Sequence, residues 1–117
     1  MIFVLFEVTI KENCMEHYLA MAGNLKDYLS EAKGFIRSER FSSLISERKL
    51  LSLSVWEDEE SVSNWRNQTE HRLSQRQGRN ALFESYHITV ASQLRSYSNT
   101  QRSEAPEDSN VLSFPTD

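Results

Sequence analysis

The chain contains one cysteine, Cys14, so it can form neither an internal disulfide nor a zinc site built from several cysteines. Nothing in this cysteine content indicates an oxidising compartment, and we expect a cytoplasmic protein. Long hydrophobic runs are also missing. The apolar start at residues 2–6 meets Glu7 at once, which is too short for a signal peptide or a membrane span. We therefore expect no membrane partner.

Basic residues are in the minority, because 13 Lys and Arg face 17 Asp and Glu and give a net charge of −4. Four of the acids follow residue 99, so the preceding body is nearly neutral; these are Glu104, Glu107, Asp108 and Asp117. Binding to a phosphate backbone needs a concentrated basic surface that releases counterions. A nucleic acid is therefore not an expected partner.

Glycine and proline are scarce as well, with three and two residues respectively. No glycine belongs to a phosphate-binding loop or to a turn around a serine nucleophile, so no nucleotide or flavin is implied. Both prolines lie in an acidic, apolar-poor segment that buries too little surface to offset its ordering entropy. We predict one domain over residues 1–97 and a tail over 98–117. Docking of the cluster Val111, Leu112 and Phe114 on a partner subunit is the alternative for the tail.

Residues 1–97 show two hydrophobic periods. Alternation with period two predicts strands over residues 2–10, 50–56 and 82–94, and a further strand is expected after Gly34, through residue 44. Apolar residues at three- and four-residue spacing predict an amphipathic helix that begins near Asn13 and ends at Gly34. With a second helix after the third strand, the order is βαββαβ. This order matches a ferredoxin-like α+β sandwich, an antiparallel sheet with both helices on one face.

The first strand is apolar on both faces near its start. Val4 and Phe6 lie on one face, and Phe3 and Leu5 lie on the other. A strand in a small antiparallel sheet usually has one polar face, and two helices can cover only one side. We therefore predict a homodimer in which the open sheet faces pack together.

The second helix carries the residues best suited to chemistry. Asp58 can cap its N-terminus, so the helix should begin at Glu59. Trp65 should then point towards the sheet, and a kink around Asn67 would let His71 share its pocket. The alternatives are a core anchor for Trp65 and a solvated helix residue for His71.

The run VWEDEESVSNWRNQTEHRLSQRQGR resembles the antibiotic biosynthesis monooxygenase (ABM) domain family. Members of that family have the same strand, a W-x-D/E-x-E-x-x-x-x-W turn and helix, and then H-R-x-x-Q-x-x-G-R. Segments 3–9, 34–41 and 82–97 resemble the first, second and last strands of the family. The resemblance implies a dimeric α+β barrel that oxidises a phenol, a quinol or a polycyclic aromatic with O₂ and without a cofactor or metal.

The resemblance also implies roles for particular residues. Removing a phenolic proton gives an electron-rich anion that can pass an electron to O₂, so the protein must supply a base, hydrogen-bond donors and a dry pocket. His71 would be the base, since an unperturbed imidazole titrates at about 6.5. Trp65 would donate its indole N–H to a bound oxygen atom. The helix and strand faces suggest four walls of the substrate pocket: Met21, Leu25, Phe83 and Tyr86.

The haem-degrading branch of the same fold has an Asn on the first strand and a haem-ligating His ten residues beyond the Trp. This chain has Phe6 and Gln75 at those positions, so haem degradation is disfavoured. Two other functions stay open. One is a non-oxidative isomerase of a small metabolite, for which a base and a donor would serve equally well. The other is a ligand-binding protein without turnover.

Overall fold

The computed structural model describes residues 1–75 and 82–111, apart from the side chains of residues 69–75 and 111. The elements are β1 (Ile2–Ile10), α1 (Met15–Ser30), β2 (Phe35–Ser42), β3 (Lys49–Trp56), α2 (Glu59–Gln75), β4 (Phe83–Ser92) and α3 (Glu107–Val111). The strands form one antiparallel sheet in the order β2-β3-β1-β4, with α1 and α2 on one face. The predicted ferredoxin-like fold is therefore confirmed. Across the described ranges, no helix is both long enough and apolar enough to cross a membrane.

The register of the sheet places one row of side chains beneath the helices. Phe6 on β1 pairs with Ser52 on β3 and with Ile88 on β4. Arg40 on β2 pairs with Ser52 from the other side. Because paired residues point to the same face, the row Arg40, Ser52, Phe6 and Ile88 crosses the whole sheet. β2 itself ends at Ser42 rather than at the predicted residue 44.

The hydrophobic core joins α1 to one end of this face. Its buried members are Val8, Ile10, Tyr18, Leu50, Leu82 and Phe83. At the other end of the sheet Trp56 is fully buried, with its ring 5.4 Å from that of Phe35. Burying a large apolar side chain contributes roughly 1.5–3 kcal/mol, so these two groups hold the sheet and helices together.

The ends of α1 differ from the prediction. Asn13 has a left-handed φ of 66°, and Cys14 is the N-cap residue without a side-chain hydrogen bond. The helix ends at Ser30, where the next amides donate three residues back and tighten the last turn. Gly34 has the expected left-handed conformation, with φ of 81°, but in the turn that leads into β2. There its carbonyl accepts a 2.8 Å hydrogen bond from the Glu57 amide.

The start of α2 is as predicted, and its course is not. The Ser61 amide donates a 2.8 Å hydrogen bond to Asp58 Oδ1, which is the expected N-cap. This hydrogen bond lowers the pKa of the Asp58 carboxyl. No break marks the kink predicted around Asn67, since α2 is one continuous helix over Glu59–Gln75. No Pro or Gly stands within that range to interrupt the helix.

Beyond β4, the described part of the tail is organised around Arg102. Its guanidinium donates to Asn110 Oδ1 at 3.0 Å, to the Ser98 carbonyl at 3.1 Å and to Ser109 Oγ at 2.9 Å. It also lies 5.2 Å from the centre of the Tyr97 ring, a cation–π distance. The composition of the tail did not predict this local order. The division into a domain over 1–97 and a tail stays a prediction.

The face of the sheet opposite the helices carries apolar side chains. Phe3 and Leu5 on β1 and Leu53 on β3 are half-buried there. The predicted homodimer would cover them, and it stays a prediction. The alternative role of the tail cannot be followed to its end, because Leu112 and Phe114 lie outside the described residues.

Candidate functional site

A cleft of about 450 Å³ lies between α1, α2 and the helix-covered face of the sheet. This volume is typical of small-molecule sites. Its described lining consists of Phe6, Tyr18, Met21, Ala22, Leu25, Lys26, Leu29, Ser38, Glu39, Arg40, Ser52, Trp65 and Phe83. A smaller cavity of about 250 Å³ shares Phe6, Trp65 and Phe83 with it and extends towards Tyr86 and Ile88 on β4.

Most of the predicted site residues meet at this cleft. Met21, Leu25, Trp65 and Phe83 line the larger cavity, and Tyr86 lines the smaller one beside Trp65 and Phe83. The faces assigned from the sequence therefore bring these residues together. Their roles towards a substrate stay predictions.

The two tryptophans differ in how they are held. Their ring centres are 6.1 Å apart and their planes are tilted by 35°. Trp56 is fully buried, and its indole N–H donates to Ser54 Oγ at 2.9 Å. Trp65 is half-buried at the cleft wall, and its indole N–H has no hydrogen-bond partner among the residues that the structure describes. This N–H can therefore be donated to a bound oxygen atom.

Aromatic rings form the wall of the cleft near β1 and β4. The ring centre of Phe6 is 5.7 Å from those of Phe83 and Tyr86, and Phe83 is 5.7 Å from Tyr18. All three pairs have the edge-to-face geometry that adds about 0.5–1.5 kcal/mol beyond surface burial. This end of the cleft is suited to a flat apolar ligand.

The side of the cleft formed by β2 and β3 is polar. Ser38, Arg40 and Ser52 line it, and the first turn of α1 supplies Tyr18 to the same cleft. Burial raises the pKa of the Tyr18 hydroxyl, and the nearby Arg40 guanidinium offsets part of that rise. Tyr18 is therefore a protonated donor at neutral pH, next to a permanent positive charge.

Sequence reasoning did not assign Tyr18 or Arg40 to the site. The two residues belong to different elements, and only the packing of α1 on the sheet brings them together. The one available signal was the alternation along the second strand, which puts Ser38 and Arg40 on a single face.

The position of His71 relative to Trp65 is not the one expected. On an uninterrupted helix, residues six apart are separated by about 120° around the axis and about 9 Å along it. The predicted kink was the reason for a shared pocket, so that reason is lost. The His71 side chain lies outside the described residues, and its role as a base stays a prediction. His17 and His87 are exposed and line neither cavity.

The described residues offer little to a metal ion. Nowhere among them do three His, Cys, Asp or Glu side chains lie close enough together to hold one. Glu39 is the carboxylate in the described cleft lining, and its register opposite Leu53 directs the side chain to the other face. Cys14 packs against the hydrophobic core.

Comparison with known proteins gives a family match. The model of the family "Antibiotic biosynthesis monooxygenase" matches residues 1–77. The chain is 37% identical over 90 residues to the jasmonate monooxygenase ABM of Pyricularia oryzae, covering 77% of this chain and 42% of that protein. It is 34% identical over 41 residues to the uncharacterized protein YqjZ of Bacillus subtilis, covering 35% of this chain and 36% of that one. The chain thus spans less than half the length of these curated relatives.

Solved structures share the fold over most of their length. Rv0793 from Mycobacterium tuberculosis superposes with a TM-score of 0.71 at 14% identity, covering 83% of this chain and 98% of that one. SnoaB, a cofactor-independent oxygenase from Streptomyces nogalater, superposes with a TM-score of 0.68 at 13% identity, covering 81% and 94%. At these identities the likeness shows the fold alone.

Proposed function

We propose that this chain, which belongs to the antibiotic biosynthesis monooxygenase family, oxidises a phenolic, quinol or polycyclic aromatic substrate with O₂ and without a cofactor. The observation that carries the proposal is the state of Trp65. Its indole is half-buried in the wall of an aromatic cleft, and its N–H is unpaired within the described ranges. The cofactor-independent oxygenase SnoaB supports the proposal through its shared fold.

The proposed reaction begins with the loss of a phenolic proton to His71. The resulting phenolate gives one electron to O₂, and the two radicals combine into a carbon-bound peroxide. The carbon then loses its remaining hydrogen as a proton while the O–O bond breaks, and the departing oxygen takes up both this proton and the one that His71 returns. One oxygen atom ends in the product as a carbonyl and the other leaves as water.

The described residues would orient the substrate and keep water away from the reacting carbon. Trp65 would donate its N–H to the oxygen that gains negative charge, either on the substrate or on the peroxide. Phe6, Phe83 and Tyr86 would stack on the rings of the substrate and exclude water from the reacting carbon. Exclusion of water strengthens every hydrogen bond to the anionic intermediate.

A second candidate substrate is favoured by one observation. The Pyricularia oryzae relative is named a jasmonate monooxygenase, and 77% of this chain aligns with it at 37% identity. The name denotes a carboxylate. A small carboxylate therefore belongs in any substrate panel beside the phenols and quinols.

The proposal can be tested by O₂ consumption with a panel of hydroquinones, anthrones and small carboxylates. Replacing His71 by Ala should lower turnover by roughly 10² to 10⁴, the usual range for loss of a general base. Trp65→Phe keeps an aromatic ring at the position and removes the indole N–H donor, so a loss of about 1 kcal/mol in transition-state stabilisation is expected. His17→Ala is the matched control, since His17 is an exposed helix histidine away from the cleft.

The pH–rate profile separates the base from other groups. Activity should rise through a limb near neutrality in the parent and lose that limb in His71→Ala. If the variant keeps the limb, another group takes the proton or the substrate ionises unaided. Conversion of a metabolite without O₂ uptake would indicate the isomerase alternative, and tight binding without conversion would indicate a binding protein.

A further inference from the structure

The cleft holds positive charge that its surroundings do not neutralise. Arg40 and Lys26 both line the cleft, and neither forms an ion pair with a carboxylate in the part of the chain that the structure describes. The lining carboxylate, Glu39, alternates with Arg40 along β2 and stands in register with Leu53 on the opposite face. The charge of Arg40 is therefore available to a ligand.

Tyr18 adds a buried donor to the cleft, and its ring is 5.7 Å from that of Phe83. Tyr18 is 4% exposed and lines the cleft, and its hydroxyl has no hydrogen-bond partner within the described ranges. Buried polar groups are nearly always paired, because an unpaired one costs free energy. The hydroxyl is close enough to Arg40 for the guanidinium to act on its pKa. A bound anion that accepts from this hydroxyl would also be attracted by the Arg40 charge.

The floor of the cleft changes character along the sheet. Arg40, Ser52, Phe6 and Ile88 follow one another on adjacent strands, which are spaced by about 4.8 Å. Arg40 and the aromatic wall at Phe6 are thus roughly 10 Å apart, because two strand spacings separate them. A flat molecule with an anionic group at one end matches both regions.

We propose that Arg40 and Tyr18 form an anion-binding end of this cleft, and that the substrate is an aromatic carboxylate with its rings against Phe6 and Phe83. The proposal rests on the proposed function, in that it takes the cleft as the substrate site. A guanidinium presents two parallel N–H groups that match the two oxygens of a carboxylate, and Tyr18 supplies a further O–H donor. Lys26 adds to the attraction without a fixed geometry.

The test compares the binding of 2-naphthoate with that of neutral 2-naphthamide to the full chain, by isothermal titration calorimetry. Both probes lack a phenol, so binding is measured without turnover. The parent should prefer 2-naphthoate by roughly 10- to 100-fold, the range for hydrogen bonds to a charged group. Arg40→Gln should abolish the preference, and Arg40→Lys should restore part of it by keeping the charge. Tyr18→Phe should weaken 2-naphthoate several-fold and 2-naphthamide less, because a hydrogen bond to a charged acceptor is the stronger one.

Arg95→Gln is the control for net charge, because Arg95 is exposed and lines neither cavity. It should keep the full preference. Arg40 is itself exposed, so Arg40→Gln should fold, and circular dichroism checks this. The proposal is overturned if the parent binds both probes equally, if it binds neither, or if Arg40→Gln keeps the preference.

The outcome is separable from that of the oxygenation assay. Selective binding of 2-naphthoate through Arg40, without O₂ uptake on any substrate, would refute the monooxygenase proposal and leave the anion-binding end standing. Turnover of neutral quinols, without preference for the carboxylate probe, would support the monooxygenase proposal and refute the anion-binding end.

Discussion

Replacing Gly34 by alanine should destabilise the protein, because Gly34 combines a left-handed backbone with a close neighbour. Its φ is 81°, a conformation that residues with a side chain rarely adopt. A Cβ at this position would lie 2.6 Å from the Cβ of Ser61 and would overlap the Ser61 hydroxyl. Ser61 is buried in the first turn of α2, so it cannot move aside freely.

The expected magnitude follows from these two contributions. A left-handed conformation costs an alanine about 1–2 kcal/mol. Overpacking against a buried side chain costs about 1–3 kcal/mol more. Together they amount to about 2–5 kcal/mol, a large share of the roughly 5–15 kcal/mol that stabilises a typical domain. The melting temperature should fall by on the order of 10–30 °C.

Urea unfolding followed by far-UV circular dichroism measures the free energy directly. Gly23→Ala is the matched control, since Gly23 lies inside α1 and a Cβ there meets nothing within 4 Å. Alanine in a helix interior is favoured over glycine, so this variant should be stabilised by about 0.5–1 kcal/mol. The same substitution should therefore have opposite signs at the two sites.

A double-mutant cycle separates strain from overlap. Ser61→Gly removes the atoms that the new Cβ of Gly34→Ala would meet, so combining the two should recover the overlap part, about 1–3 kcal/mol. The left-handed strain should remain. Additive single and double variants, or a Gly34→Ala protein as stable as the parent, would refute this account of the turn that precedes β2.

Three further predictions concern assembly, haem and acid. Leu5→Glu should convert a dimer into a monomer by light scattering, whereas exposed Arg95→Glu should not, and a parent of monomeric mass at micromolar concentration would contradict the dimer. Phe6 and Gln75 stand where the haem-degrading branch has its Asn donor and its haem-ligating His, so added haem should give no Soret band typical of histidine ligation. Such a band would contradict the exclusion of haem degradation. The pKa of Asp58 is lowered from 3.8, so its charge stabilises the fold above that value and the benefit is lost as the pH falls below it. Denaturation in acid should therefore show the advantage of the parent over Asp58→Asn shrinking below that pH, and a constant difference would count against the cap.

Local sequence patterns predicted the helices and strands well where the interactions that form them span only a few residues. Alternation predicted three of the four strands of the sheet, and the cap at Asp58 is confirmed by its hydrogen bond from the Ser61 amide. The apolar faces also predicted which residues meet, because Met21 on α1 and Phe83 on β4 can face the cleft only if the helices cover one side of the sheet.

Predictions failed where two local signals competed or where contacts are long-range. Asn13 suits a helix cap, yet it takes a left-handed turn conformation and leaves the cap to Cys14. Asn67 was expected to mark a kink, but one asparagine does not break a helix that lacks Pro and Gly. Tyr18 and Arg40 line one cleft because α1 packs on the sheet, and no pattern within α1 or β2 alone contains that contact.

The two tryptophans show why residue type alone does not identify a functional group. Both lie on the helix-covered side of the sheet, and their rings are 6.1 Å apart. Trp56 is inaccessible and its N–H is already paired with Ser54, so its contribution is to packing. Trp65 shares the packing but keeps a donor without a partner among the described residues, in the wall of the cleft that Phe6 and Arg40 also line. The availability of that N–H, rather than the indole ring itself, is what the proposed chemistry requires.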